Sequence, residues 1–193
     1  MSHYFTNNVD LKHNVETKRV IIKTSEFTFF TDNGVFSKKG LDFGTRSLLE
    51  SLPNDIQGDI LDFGCGYGPI GIYLKKNYDC DVDMIDINDR SLSLARKNAL
   101  ENNVDVNIFN SDIYSNVTKK YNYIITNPPI RVGKQILYKI LFDAKEHLLD
   151  GGQLWLVINK DQGAKSLIRD LEKSYKTKLV NKNKGFFIIS AEK

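Results

Sequence analysis

The chain has 193 residues, of which 41% are hydrophobic and 26% charged, with a formal net charge of +3. That length suits one α/β domain with a full core and is short for two, and the longest apolar runs, such as residues 154–158, cannot span a bilayer. Two cysteines outside any CxxC pair, three scattered histidines (His3, His13, His147) and the lack of HExxH, GxSxG and GxxxxGK[ST] patterns argue against a disulfide framework, a metal site, a serine hydrolase and a P-loop. The polar start MSHYFTNNVDLKHN does not read as a signal peptide, so a cytoplasmic protein is expected.

In chain order, RVIIK and EFTFFT (19–31) predict a small hairpin, and GVFSKKGLDFGTRSLLESL runs from a loop into a helix starting near Leu41–Gly44. Residues 1–58 are read as an extension packed on a sheet, and 59–193 as the core of the same domain. From 59 onward strands and helices alternate. DILDF (59–63) predicts a strand, then GPIGIYLKKN a helix. DVDMIDI (81–87) predicts a strand, and DRSLSLARKNALENN a helix capped by Asp89. VNIF (106–109) and YNYIIT (121–126) are further strands, and QILYKILFDAKEHLL predicts an amphipathic helix ending at Asp150-Gly151-Gly152. QLWLVI, AKSLIRDLEKS, KTKLV and GFFIIS complete the pattern as strand, helix and two strands.

Unbroken apolar strands alternating with helices predict a Rossmann-like α/β fold: seven strands, mostly parallel, with helices on both faces and the small N-terminal β/α extension. The last two strands are separated only by NKNK, too short for a crossover helix, so one antiparallel strand in a C-terminal hairpin is expected. Residues 160–193 hold nine Lys/Arg against four Asp/Glu, a balance that suits a polyanionic partner or a solvated helix face and edge strand.

The densest motif is ILDFGCGYGPIG (60–71). Strand, glycine turn and helix bring backbone N–H groups and a helix N-terminus to a ligand, and Gly64, Gly66 and Gly68 allow φ > 0 and close approach. One frame, Gly66-x-Gly68-x-x-Gly71, fits a dinucleotide fingerprint, but Asp62 just before the glycines would repel a pyrophosphate and favour an ammonium or sulfonium. Asp86 closes the next strand about 20 residues on, where a ribose diol would be held. Asp112, after the third strand, stands where a carboxylate could bind an exocyclic adenine amine.

After the fourth strand comes TNPPIR. Asn127 Oδ1 and the Pro128 carbonyl form an acceptor pair that could hold both N–H groups of a weakly nucleophilic amine, and Pro128 and Pro129 remove competing backbone donors. Cys65 reads as a small packing residue of the glycine loop and not as a methyl acceptor.

DxGxGxG, an acid after the second strand, SD after the third and NPPI after the fourth resemble the class I S-adenosylmethionine-dependent methyltransferases. More narrowly, FSKKGLDFGT, LDFGCGYGPIG, MIDIN and TNPPIR are similar to the bacterial and archaeal relatives of the small-subunit rRNA guanine-N2 methyltransferases. Some members of that family carry two tandem copies of the fold; this chain has room for one. The resemblance implies S-adenosylmethionine held by Asp62, Gly64, Cys65, Gly66, Gly68, Asp86, Ile87, Asp112 and Ile113, with RNA, of the small ribosomal subunit, as partner. It implies Asn127, Pro128 and Pro129 as the reaction centre. Related amine methyltransferases commonly have an aromatic at the position of Ile130, so a weaker apolar contact to a flipped base is expected there. Phe36 could cover the base or the cofactor, and Arg131 and Lys134 could hold phosphates. NPPI alone leaves N6-adenine and protein glutamine open as acceptors, and a nicotinamide-dependent oxidoreductase or a non-catalytic binding module stand as more distant readings.

Overall fold

The computed structural model describes residues 14–35, 37 and 40–193. A seven-stranded sheet holds β3 (Gly58–Phe63), β4 (Cys80–Asp86), β5 (Asn107–Asn110), β6 (Tyr121–Thr126), β7 (Leu148–Asn159), β8 (Lys176–Asn183) and β9 (Phe186–Glu192). Its order is β5-β4-β3-β6-β7-β9-β8, and only β9 runs antiparallel to its neighbours. The expected mostly parallel sheet with one reversed C-terminal strand is therefore present. Strand order reverses between β3 and β6, the place where open α/β sheets leave a crevice at their carboxyl ends.

Successive strand residues point to opposite faces, and both faces are apolar. Ile60, Met84, Ile125, Trp155 and Val157 pack on one side with Leu48 and Leu49 of α1 (Phe43–Ser51), Ile70 and Leu74 of α2 (Pro69–Asn77) and Leu92 and Ala95 of α3 (Asp89–Glu101). Leu61, Ile85, Ile124, Leu156 and Ile158 pack on the other with Leu137 and Leu141 of α4 (Lys134–Asp143) and Leu167 and Leu171 of α5 (Ala164–Leu171). Helices thus cover both faces, as the strand composition required.

Three local expectations are corrected. The cap of α3 is Asn88, whose side chain accepts from the Arg90 and Ser91 N–H groups, while Asp89 opens the first turn beside the positive helix end. Helix α4 stops at Asp143, followed by a 3-10 turn over Ala144–His147. The Gly151-Gly152 pair lies inside β7, where the pairing slips from Tyr121↔Leu148 to Tyr123↔Gln153. A Cβ on Gly152 would come within 2.8 Å of the Leu149 carbonyl and 3.0 Å of the Tyr121 carbonyl, so the glycine serves a bulge and not a helix stop. In the C-terminal hairpin the strands extend into NKNK, leaving Lys184-Gly185 as a two-residue turn with φ of 45° and 85°.

The hairpin β1 (Glu16–Ile22) and β2 (Ser25–Thr31) forms its own two-stranded sheet. Phe27 and Phe29 enter the core beside Tyr73 and Tyr67. Its outer edge is met by side chains in place of a strand. Asn98 of α3 accepts from the Phe30 N–H (2.7 Å) and donates to the Phe30 carbonyl (3.0 Å), and Asn102 does the same to Thr28 (3.1 and 2.7 Å). Four residues of helix rise about 6 Å and two residues of strand about 6.6 Å, so an i,i+4 amide pair can follow one edge of a strand.

Asn98 also donates to the Tyr67 carbonyl at 2.8 Å, which ties the hairpin to the glycine loop. Replacing Asn98 by Ala orphans one buried and two part-buried backbone groups and is expected to lower unfolding free energy by about 3 kcal/mol. Urea unfolding that shows a change below about 0.5 kcal/mol would remove Asn98 from this role.

Candidate active site

A cavity of about 460 Å³ opens at the carboxyl ends of β3, β4 and β6, within the range that takes a small ligand. The glycine loop is its floor. The Cys65 N–H donates to the Ile85 carbonyl at 2.8 Å, so the loop continues the β3–β4 ladder for one step. Two carboxylates then hold it. Asp86 Oδ2 accepts from the Gly66 N–H and Oδ1 from the Asn88 N–H, both at 2.9 Å. Asp62 Oδ2 accepts from the Gly71 N–H at 2.8 Å. Gly64, Gly66 and Gly68 all have positive φ, and Gly68 is the N-cap of α2, with Pro69 in its first turn. Gly71 is glycine for another reason: a Cβ there would meet Met84 at 2.6 Å and Asp62 at 3.1 Å.

Asp62 does not reach the cavity wall. It is completely buried under the loop, and among the described residues its Oδ1 has no hydrogen-bond partner. Burial pushes its carboxyl up to about 8, against the lowering effect of the Gly71 N–H, with Asp86 adding a further rise. Burial also raises Asp86, against the N–H groups of Asn88 and Gly66. Cys65 is buried, and burial first, then Asp62 and Asp86, push its thiol well above the ordinary range; the protonated thiol is a poor nucleophile, in keeping with a packing role.

Gly64, Cys65, Gly66, Asp86, Ile87, Asp112 and Ile113 line the cavity, and Gly68 sits one step behind it against Ile72 and Met84. No described residue bonds the Asp112 carboxylate, whose backbone N–H is met by Ser115 Oγ at 3.2 Å. Ile113 has φ of 52°, a costly backbone for a β-branched residue, and its carbonyl accepts from Ser111 Oγ at 3.0 Å. Asn127, Pro128, Pro129, Ile130 and Arg131 line the opposite wall, Ile130 and Arg131 in a 3-10 turn over Ile130–Val132. Lys134 falls outside: it begins α4, and its Nζ lies 4.8 Å from the Tyr138 ring in a separate, smaller groove. The helix start turns it toward α5, away from the cavity. Phe36 lies outside the described residues.

Several wall residues escaped the sequence reading. Asp42, the N-cap of α1, and Thr45 both accept from Asn127 Nδ2, at 3.1 and 2.9 Å. Asp42 also accepts from the Thr45 N–H at 3.0 Å, which makes the three groups one network. With its amino end so engaged, Asn127 keeps Oδ1 as its remaining acceptor. Asn159, Gln162 and Phe186 line the wall next to NPPI. Asp42 and Thr45 fall within FSKKGLDFGT, a motif of the family resemblance, where Asp-x-x-Thr reads as a helix cap.

The family model for the methyltransferase small domain matches residues 26–190. The chain belongs to this family. S-adenosylmethionine-dependent methyl transfer is its activity and S-adenosylmethionine its cofactor, as the motifs implied. The chain is 43% identical over 99% of its length to the uncharacterised protein YbxB of Bacillus subtilis, covering 98% of that protein. It is 39% identical over 65% of its length to ribosomal RNA small subunit methyltransferase C of Pasteurella multocida, and 40% identical over 69% to that of Mannheimia succiniciproducens. It spans only 40% and 42% of those two proteins. The 16S rRNA guanine-N2 methyltransferase RsmC of T. thermophilus, solved with AdoMet and guanosine, superposes with a TM-score of 0.83 at 25% identity, over 93% of this chain and 50% of that one. Among the described residues no helix is long and apolar enough to cross a membrane.

The buried Asp62 links folding to pH. The folded protein keeps a proton that the unfolded chain releases above 3.8, so this group's contribution is most favourable below that value and declines as pH rises toward about 8. Asp62→Asn keeps an oxygen for the Gly71 N–H and does not titrate. In ligand-free protein its stability relative to wild type should climb through that window, as read by thermal melts at several pH values. A difference independent of pH would show that Asp62 is ionised under the loop.

Proposed function

We propose that the chain methylates the exocyclic N2 amine of guanine in small-subunit rRNA, by direct in-line transfer at Asn127-Pro128-Pro129-Ile130. The single observation that carries this reading is the orientation of Asn127: two acceptors hold its amino end, and Oδ1 is left on the cavity wall beside the Pro128 carbonyl. The likeness to ribosomal RNA small subunit methyltransferase C supports guanine N2 over other amines.

The residues present fit the cofactor. The glycine loop offers close backbone approach, Asp86 an acceptor for a ribose diol, and Asp112 an unengaged carboxylate for an adenine amine between Ile87 and Ile113. Asp62 acts from below: it shapes the loop by accepting from the Gly71 N–H. S-adenosylmethionine, when bound, supplies an electrophilic methyl group on a sulfonium.

A guanine amine is a weak nucleophile because its lone pair is delocalised into the ring. Asn127 Oδ1 and the Pro128 carbonyl accept its two N–H groups and favour the tetrahedral nitrogen needed for attack. Neither proline carries a backbone N–H that could compete for these acceptors. The proton shed after transfer passes to water. Ile130 gives the base an apolar contact and Arg131, exposed at the rim, meets phosphate.

Small ribosomal subunits from a strain lacking the protein, incubated with labelled S-adenosylmethionine and digested to nucleosides, should yield N2-methylguanosine. Label in N6-methyladenosine instead would keep the chemistry and discard the target. Asn127→Ala should lower turnover at least about 100-fold with cofactor affinity within a few-fold. Thr45→Val, which removes one acceptor holding the amide, should lower turnover about tenfold and leave cofactor affinity unchanged by calorimetry. Normal turnover in Thr45→Val would show that Asp42 alone holds the amide.

A further inference from the structure

Asn159 and Gln162 stand on the same cavity wall as Asn127, and their side chains cap each other's turn. Asn159 Oδ1 accepts from the Asp161 N–H at 3.0 Å, and Gln162 Oε1 accepts from the Asn159 N–H at 3.1 Å. Backbone N–H groups can only donate, so both amides must turn their oxygens inward. Flipping either one would orphan a backbone donor and oppose it with an amino group. What remains on each side chain is an NH2 group, and no described residue accepts from either. These two side chains offer donors only.

The turn is pinned. The Lys160 N–H donates to the Gly185 carbonyl at 2.7 Å, which fastens the turn to the β8–β9 hairpin, and Gly163 follows in the left-handed region with φ of 83°. Phe186 pairs with Asn159 across the β7–β9 ladder and lines the same cavity, its ring 5.7 Å from that of Phe43. An aromatic face and two fixed donors therefore lie together. Their distance from the reaction centre is set by register. Thr126 pairs with Leu156, so Asn127 is one residue past that level and Asn159 three. The offset is about 6.6 Å along the strands and about 4.8 Å across them, a separation of about 8 Å that one hydrogen-bonded purine can bridge.

Resting on the proposed transfer to guanine N2, we infer that Asn159 and Gln162 are specificity-determining residues that read the acceptor edge of the purine, O6 and N7, against Phe186. Guanine presents acceptors at both positions. A purine with an amine at position 6 sets donor against donor, and burial of that mismatch is what discriminates. The site thereby refuses 6-amino purines even when they carry a 2-amine that Asn127 could hold.

The test is competition by nucleosides against labelled methyl transfer into small ribosomal subunits. Guanosine and 2,6-diaminopurine riboside share the 2-amine and differ by an acceptor or a donor at position 6. Wild type should be inhibited by guanosine at a concentration about tenfold or more below that required of 2,6-diaminopurine riboside. In Asn159→Asp with Gln162→Glu, each carboxylate keeps one oxygen on its capping bond and turns an acceptor to the cavity, so the preference should shrink or invert. Added negative charge repels RNA and both competing nucleosides' assays alike, and leaves the ratio to report the edge. If that variant fails to fold, Asn159→Ser keeps a capping oxygen, removes one donor and should reduce the ratio.

Equal inhibition by the two nucleosides in wild type, no competition by either included, would overturn the inference. So would a ratio unchanged in the variants. Neither result bears on where the label goes: transfer to a base other than guanine would instead defeat the function proposed above.

Discussion

Everything at this site hangs on two carboxylates that hold one glycine loop. Asp62 at the end of β3 takes the Gly71 N–H, and Asp86 at the end of β4 takes the Gly66 N–H. The loop between them carries positive φ at three glycines and could not keep that shape by local preference alone. Each carboxylate is worth more as a scaffold than as a surface charge, since burial raises both and a backbone donor pulls each partly back. The energetic cost of keeping Asp62 under the loop is large, and a group so placed reads as functional more readily than as stabilising.

From this loop the fold reaches outward in two directions. Toward the N-terminal hairpin, Asn98 joins the Tyr67 carbonyl to Phe30, so the loop and β2 share one helix as support. Toward β6, Thr126 Oγ1 donates to the Phe63 carbonyl at 2.8 Å, linking the strand that ends in the glycine loop to the strand that ends in NPPI. The glycine loop and NPPI are thus tied together by a buried hydrogen bond across the point where strand order reverses. Such a site needs little rearrangement to align its reacting groups, which is where orientation lowers a barrier most.

The NPPI wall is held by a different layer. Asp42 and Thr45 belong to α1, outside the alternating strand–helix core, yet they decide which end of the Asn127 amide faces the cavity. The C-terminal hairpin brings Phe186 and the pinned Asn159–Gln162 turn to the same wall. Because β9 runs antiparallel, its first residue and not its last meets the carboxyl end of β7. The hairpin turn, with Lys182 and Lys184 around it, therefore stands at the mouth and brings part of the basic C-terminal region there.

The order of strands and helices was legible in the sequence because apolar runs and glycine punctuation act locally. The glycine loop, the acids after three strands and NPPI could be read in the same way, since each needs particular residue types next to one another in the chain. Helix ends were less legible: Gly151-Gly152 looked like a stop, and only the contacts with the Tyr121 and Leu149 carbonyls make it a bulge. Asn98 and Asn102 carry no local signal, and their role appears only with β2 placed against them. Lys134 read as a pocket residue, while Asp42, Thr45, Asn159 and Gln162 carried no reading of their own. What the Asn127 amide bonds is fixed by partners such as Asp42, 85 residues away. Local pattern determines which elements form; long-range packing decides what their polar ends are for.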